Sequence, residues 1–130
     1  DMIRNGLDRR DPATRMRLER SLVEHPRRVA EAFAAGVKIA SGSDAGVVPH
    51  GRNARELEWY VDIGLSEMEA IVTATVNASA LLGQSDHLGT LEPGKLADVI
   101  AVSASPLENI SELLNVDFVM KAGQVYKHEK

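Results

Sequence analysis

Asp44 is the residue of this chain whose type and setting point most directly to chemistry. It follows the short run Val37-Lys38-Ile39-Ala40 and the small residues Ser41-Gly42-Ser43, and it opens the glycine-flanked turn Asp44-Ala45-Gly46. In a β/α protein, groups carried just past the C-terminal end of a strand face the place where ligands bind. A carboxylate there can meet a cation, or a phosphate through one. A single carboxylate is a poor magnesium site unless the ligand completes the coordination, and the chain has no G-x-x-x-x-G-K-[ST] cradle for phosphate. An aspartate in a turn can also simply bond the backbone beside it, so both readings stand on these residues alone.

Few side chains are available to work with Asp44. There is no cysteine, hence no disulfide and no thiolate ligand. The four histidines are His25, His50, His87 and His128, with no His-x-His and no pair at helical spacing. His50 is the nearest in sequence, in the same loop as Asp44. The other three read as surface residues at a helix junction, in a polar connector and in the tail. Arg52 and Asn53 stand where they can shape a pocket mouth, against the simpler reading of Asn53 as the cap of the next helix and Arg52 as a solvated neighbour; Asp98 reads as a strand residue that bonds a backbone turn.

The elements that must position these residues follow from capping and periodicity. Asp11-Pro12 reads as an N-cap followed by proline in the first turn. The helix it starts is expected to break at His25-Pro26, after which a second helix carries Val29, Ala30, Phe33 and Ala34 on one face and ends at Gly36. Val37 to Ser41 is too short for a helix and lacks strict alternation, as a buried parallel strand would. Beyond the loop Val47-Val48-Pro49-His50-Gly51, a helix from about Asn53 to Ile63 is expected, with Ala54, Leu57 and Val61 on its stripe. Ser66 and Glu69 form a capping box for the next helix, whose buried stripe is Met68, Ile71, Val72 and Val76; Asn77 caps a further short turn. From Leu88 the composition turns to β, with strands at Ala97–Val102, Val116–Lys121 and Gln124–Lys127, the last two joined by a tight Ala122-Gly123 turn.

With 130 residues, 44% of them hydrophobic and 26% charged, the chain suits a globular fold rather than a disordered one. A formal charge of -4 gives no field for nucleic acid or an anionic membrane, and the one basic stretch, Arg4 to Arg28, alternates with acids. Neither a signal peptide's apolar core nor an apolar run long enough to cross a bilayer is evident, so a cytoplasmic setting is the default expectation.

Taken together, SGSDAG, PHG.NA.EL, T.NAS.LLG, LGTLEPGKLADVIAV and VMKAGQVY, in this order over residues 27–127, resemble the C-terminal part of the metal-dependent amidohydrolase superfamily. Within it, the resemblance is to the prolidase-like and imidazolonepropionase-like branch. It implies an α/β fold in two parts. Residues 1–87 would belong to the closing part of a (β/α)8 TIM barrel, with Val37 to Ser43 as its last strand, and residues 88–130 to a composite β-sandwich. It implies that Asp44 is both metal ligand and catalytic proton acceptor, and that His50 contacts substrate. The activity implied is hydrolysis of a carbon–nitrogen bond in a small dipeptide-like or cyclic amide. The cofactor implied is a divalent metal, zinc by preference, in a full-length parent and none held by this chain alone. The family's other ligand histidines come from earlier strands, and none is present here, so little independent catalysis is expected. The rival expectation is a noncatalytic α/β module that self-associates through unpaired strand edges, and in either case a homo-oligomer is expected.

Overall fold

The computed structural model describes residues 11–46 and 49–129. The start of the basic stretch, before Asp11, and the Val47-Val48 part of the loop lie outside the described residues. The chain divides into two compact units, Asp1–Val37 and Lys38–Lys130.

The described part of the first unit is helix α1 (Pro12–Ala34), capped by Asp11, whose carboxylate accepts the amides of Ala13 at 3.1 Å and Thr14 at 3.0 Å. The expected break at His25-Pro26 does not occur. Proline's fixed φ is itself helical, and although Pro26 donates no amide bond and crowds the carbonyl four residues back, the helix runs through it. Arg–Glu pairs one turn apart run along the exposed surface on both sides of Pro26: Arg15 with Glu19, Arg20 and Arg28 with Glu24, and Arg27 with Glu31. Val29, Ala30 and Phe33 are half-covered, and no residue of α1 is fully buried. Gly36 ends the helix as expected, its amide bonding Phe33 while that of Val37 bonds Ala32. None of the described helices is long and apolar enough to cross a membrane.

The second unit opens with a connection of no regular structure rather than the expected strand. Residues 38–43 pair with none of the described strands, and a parallel strand needs such neighbours to form its ladder. Helix α2 (Arg55–Asp62) buries Leu57 and Tyr60, and α3 (Glu67–Ala74) follows from the Ser66 and Glu69 capping box. The buried face of α3 is Ala70 and Thr73, while Met68 is 52% exposed, so the expected stripe is displaced. Both residues of that face are small, and α3 packs against both α2 and α4. Helix α4 (Val76–Leu81) is short and starts at Thr75, without a side-chain cap. Asn77 therefore caps nothing; it lies inside α4.

Three strands complete the unit as an antiparallel sheet in the order β1 (Val99–Ala101), β2 (Phe118–Lys121), β3 (Gln124–His128). Ile100 faces Val119 across β1 and β2, and Lys121 faces Gln124 at the hairpin. That hairpin is the expected two-residue turn, with positive φ at both Ala122 (48°) and Gly123 (79°). Alanine pays a steric penalty there. The amide of Ala122 is anchored by Asp98 Oδ1 at 2.7 Å, the structural role expected of that aspartate. A 3-10 turn (Ile110–Leu114) packs on α2, burying Ile110 and joining Ser111 Oγ to Glu58 at 2.6 Å.

Candidate functional site

The segment leading to Asp44 is positioned by side chains from later in the chain. Asn77 Nδ2 donates to the Ile39 carbonyl at 2.8 Å, and the Ser41 amide donates to the Thr73 carbonyl at 3.0 Å. Thr73, 1% exposed, donates its hydroxyl to the Ala70 carbonyl, and its own carbonyl, in the last turn of α3, is open to that contact. The connection thus lies on the α3–α4 corner, and this explains why Asn77 is not a cap.

Helix α2 supplies the next set of contacts. Glu56 and Tyr60 are four residues apart and share a helix face. The Glu56 carboxylate accepts from Ser41 Oγ at 2.9 Å, from the Gly42 amide at 3.1 and 3.2 Å, and from the Tyr60 hydroxyl at 2.7 Å. Burial first, then the bond to Glu56 and its charge, push the Tyr60 phenol well above its ordinary range, so it remains a donor. Asn53, expected to cap α2, instead donates to Ser43 Oγ at 2.7 Å, and α2 begins at Ala54 without a side-chain cap.

Asp44 follows directly. Its φ is 51°, one of two positive values at described residues other than glycine. Aspartate tolerates this region better than most residues but still at a cost. The residue is exposed, and its carboxylate makes no hydrogen bond or ion pair among the described residues, which do not include Val47 and Val48 of the same loop. An exposed carboxylate can accept a proton or join other ligands around a cation.

His50 is exposed, and no hydrogen bond joins it to Asp44 among the described residues. The remaining histidines are dispersed: His25 on α1, His87 in the turn after α4, and His128 at the end of β3 with its ring edge-on to Phe118 at 5.7 Å. Among the described residues no three His, Cys, Asp or Glu side chains gather as a metal site. Sequence alone does not single out Glu56 or Tyr60, and it points to Asn53 without its bond to Ser43. The Glu56–Tyr60 spacing was visible there, but nothing indicated which backbone it would grip.

Comparison with known proteins supplies the class. The amidohydrolase family model matches residues 5–126, and the chain belongs to that family. Ochratoxinase of Aspergillus niger is 42% identical over 101 residues, covering 74% of this chain and 21% of that protein. Its crystal structure aligns with a TM-score of 0.80 at 34% identity, over 91% of this chain and 28% of that one. A probable imidazolonepropionase of Xenopus laevis is 38% identical over 77 residues, 54% of this chain and 17% of that protein. A crystal structure of a Xaa-Pro dipeptidase, with methionine bound in its active site, aligns with a TM-score of 0.76 at 47% identity, over 78% of this chain and 25% of that one. The chain therefore stands in the prolidase-like and imidazolonepropionase-like branch of the superfamily. It spans about a fifth of the length of the curated relatives it matches.

Proposed function

We propose that this chain is the part of an amidohydrolase that carries a catalytic carboxylate, Asp44, into the active centre of a carbon–nitrogen bond hydrolase. In this reading residues 1–87 belong to the closing part of a (β/α)8 barrel and residues 88–130 to a composite β-sandwich. The observation that carries it is the Asp44 turn: in a member of this family, a positive φ of 51° directly after three residues fastened by Glu56 and Asn53, with the side chain exposed. A strained backbone at a turn that serves only as a connection would relax, so its retention supports a role for the side chain.

The chemistry assigned to Asp44 is proton transfer. Its carboxylate takes a proton as water oxygen adds to the amide carbonyl carbon, and returns that proton to the nitrogen as the carbon–nitrogen bond breaks. His50, exposed in the same loop, is assigned to contact with a polar group of the substrate. The substrate class is a small dipeptide-like or cyclic amide, in keeping with relatives named Xaa-Pro dipeptidase and imidazolonepropionase. A divalent ion such as zinc takes three or four protein ligands, and the residues described here do not assemble that many. The metal of this reading therefore belongs to a longer parent, and the chain alone is assigned no metal and no turnover.

Two preparations test this. The pure 130-residue chain should show no hydrolysis of Xaa-Pro dipeptides or cyclic amides. A chimera in which the chain replaces the matching part of A. niger ochratoxinase should turn over that enzyme's own substrate, and Asp44→Asn should lower kcat by roughly 10²–10⁴-fold, the usual share of a general base. Metal-dependent turnover by the chain alone, or a chimera indifferent to Asp44→Asn, would contradict the assignment.

A second reading, a noncatalytic self-associating module, is favoured by the exposed apolar side chains of the second unit. Leu81, Leu82 and Leu91 are 77%, 69% and 79% exposed, and the outer edges of β1 and β3 pair with no described strand.

A further inference from the structure

Glu56 has no place in the proton transfer described above, yet donors from three residues converge on it. Ser41 Oγ and the Gly42 amide bind it from the connection, and Tyr60, 4% exposed, binds it from within its own helix. Two residues beyond Gly42 the backbone turns left-handed at Asp44, and Asn53 fastens the intervening Ser43. The backbone that carries the Asp44 carboxylate thus follows directly on three fastened residues.

A carboxylate early in a helix often serves only the amides of its own first turn. Glu56 instead faces a segment 14 and 15 residues away. Its two oxygens share the Gly42 amide, which fixes that peptide's orientation as well as its position. We propose that Glu56 is a positioning residue, which grips Ser41 and Gly42 and thereby sets the left-handed turn that aims the Asp44 carboxylate. The proposal rests on Asp44 being the proton acceptor. It deepens that assignment by naming what holds the acceptor in place, with Tyr60 as the buried support of the grip.

The test is solution NMR of the full chain, read at the Gly42 amide and in the φ-dependent scalar couplings of Asp44. In Glu56→Ala, which keeps a strong helix former in α2, the Asp44 couplings should leave the left-handed range and the Gly42 amide should exchange about tenfold faster. Glu56→Gln, which retains one acceptor oxygen, should restore part of both signals. Tyr60→Phe, which leaves the carboxylate in place, should move them in the same direction by less. A folded Glu56→Ala chain with wild-type Asp44 couplings overturns the proposal. So does a Glu56→Ala chain that unfolds while Tyr60→Phe leaves the couplings unmoved, because the carboxylate then serves α2 and not the turn. The couplings report the turn whether or not Asp44 reacts. Unmoved couplings therefore remove the role of Glu56 alone, and a chimera indifferent to Asp44→Asn removes the catalytic reading alone.

Discussion

The Ser66 and Glu69 pair shows how one interaction at a helix end becomes a measurable dependence on pH. The Ser66 hydroxyl first, then its backbone amide, hold the Glu69 carboxyl below its ordinary value of 4.5. Because the folded value lies below the unfolded one, this contribution is complete above about 4.5 and is lost as pH falls through the folded value. Ser66→Ala should return the Glu69 carboxyl towards 4.5 by carbon-detected NMR titration, and should cost about 0.5–2 kcal/mol in urea unfolding. An unchanged titration would show that the cap does not act through this bond. The box was legible in the sequence because both partners lie within one turn and their spacing defines it. The turn at Asp44 was legible for a similar local reason, since small residues and glycine bracket it. Glu56 was not, because its function is a contact with residues 41 and 42 that no periodicity encodes. Asn53 and Asn77 misled in the same way: each has the type of a cap, but its donor is spent on backbone or hydroxyl groups far along the chain.

Among the elements, α4 and the loop after it illustrate what composition alone conceals. Gly89 sits at φ 94°, and a Cβ there would lie 2.3 Å from Ser79 Oγ and 3.1 Å from the Thr75 carbonyl. Glycine is needed twice over at this position, for the conformation and for the close approach to α4. Gly89→Ala should therefore destabilise the chain by on the order of 2–5 kcal/mol, overpacking and left-handed strain together. Adding Ser79→Gly should recover part of that loss in thermal unfolding, and a full-strength Gly89→Ala alone would contradict the contact. The sequence identified α2, α3 and the β hairpin because capping and alternation are local signals. It erred at Pro26, where an expected break is a continuous helix, and at residues 38–43, where strand-like composition is met by side-chain anchors instead of a ladder. The face of α3 was misplaced as well: Ala70 and Thr73 are buried, whereas the larger Met68 is 52% exposed.

At the scale of the whole molecule, the second unit has a small described core and several large apolar side chains outside it. Its buried apolar residues are Leu57, Tyr60, Leu65, Ala70 and Ile110, whereas Leu81, Leu82, Leu91, Leu96 and Ile100 are all more than half exposed. Large exposed side chains of this kind, next to open strand edges, favour association. Light scattering over a concentration series should show self-association of the isolated chain, and Leu82→Lys with Leu91→Lys should weaken it; a stable monomer throughout would contradict this. The central claim is more specific, that one carboxylate of this chain completes a hydrolytic centre whose other groups lie elsewhere in a longer protein. Turnover by the ochratoxinase chimera, with Asp44 and with Asn in its place, tests it most directly. The account predicts hydrolysis with Asp44 and a loss of about 10²–10⁴-fold with asparagine at matched folding, and equal rates from the two chimeras would contradict it.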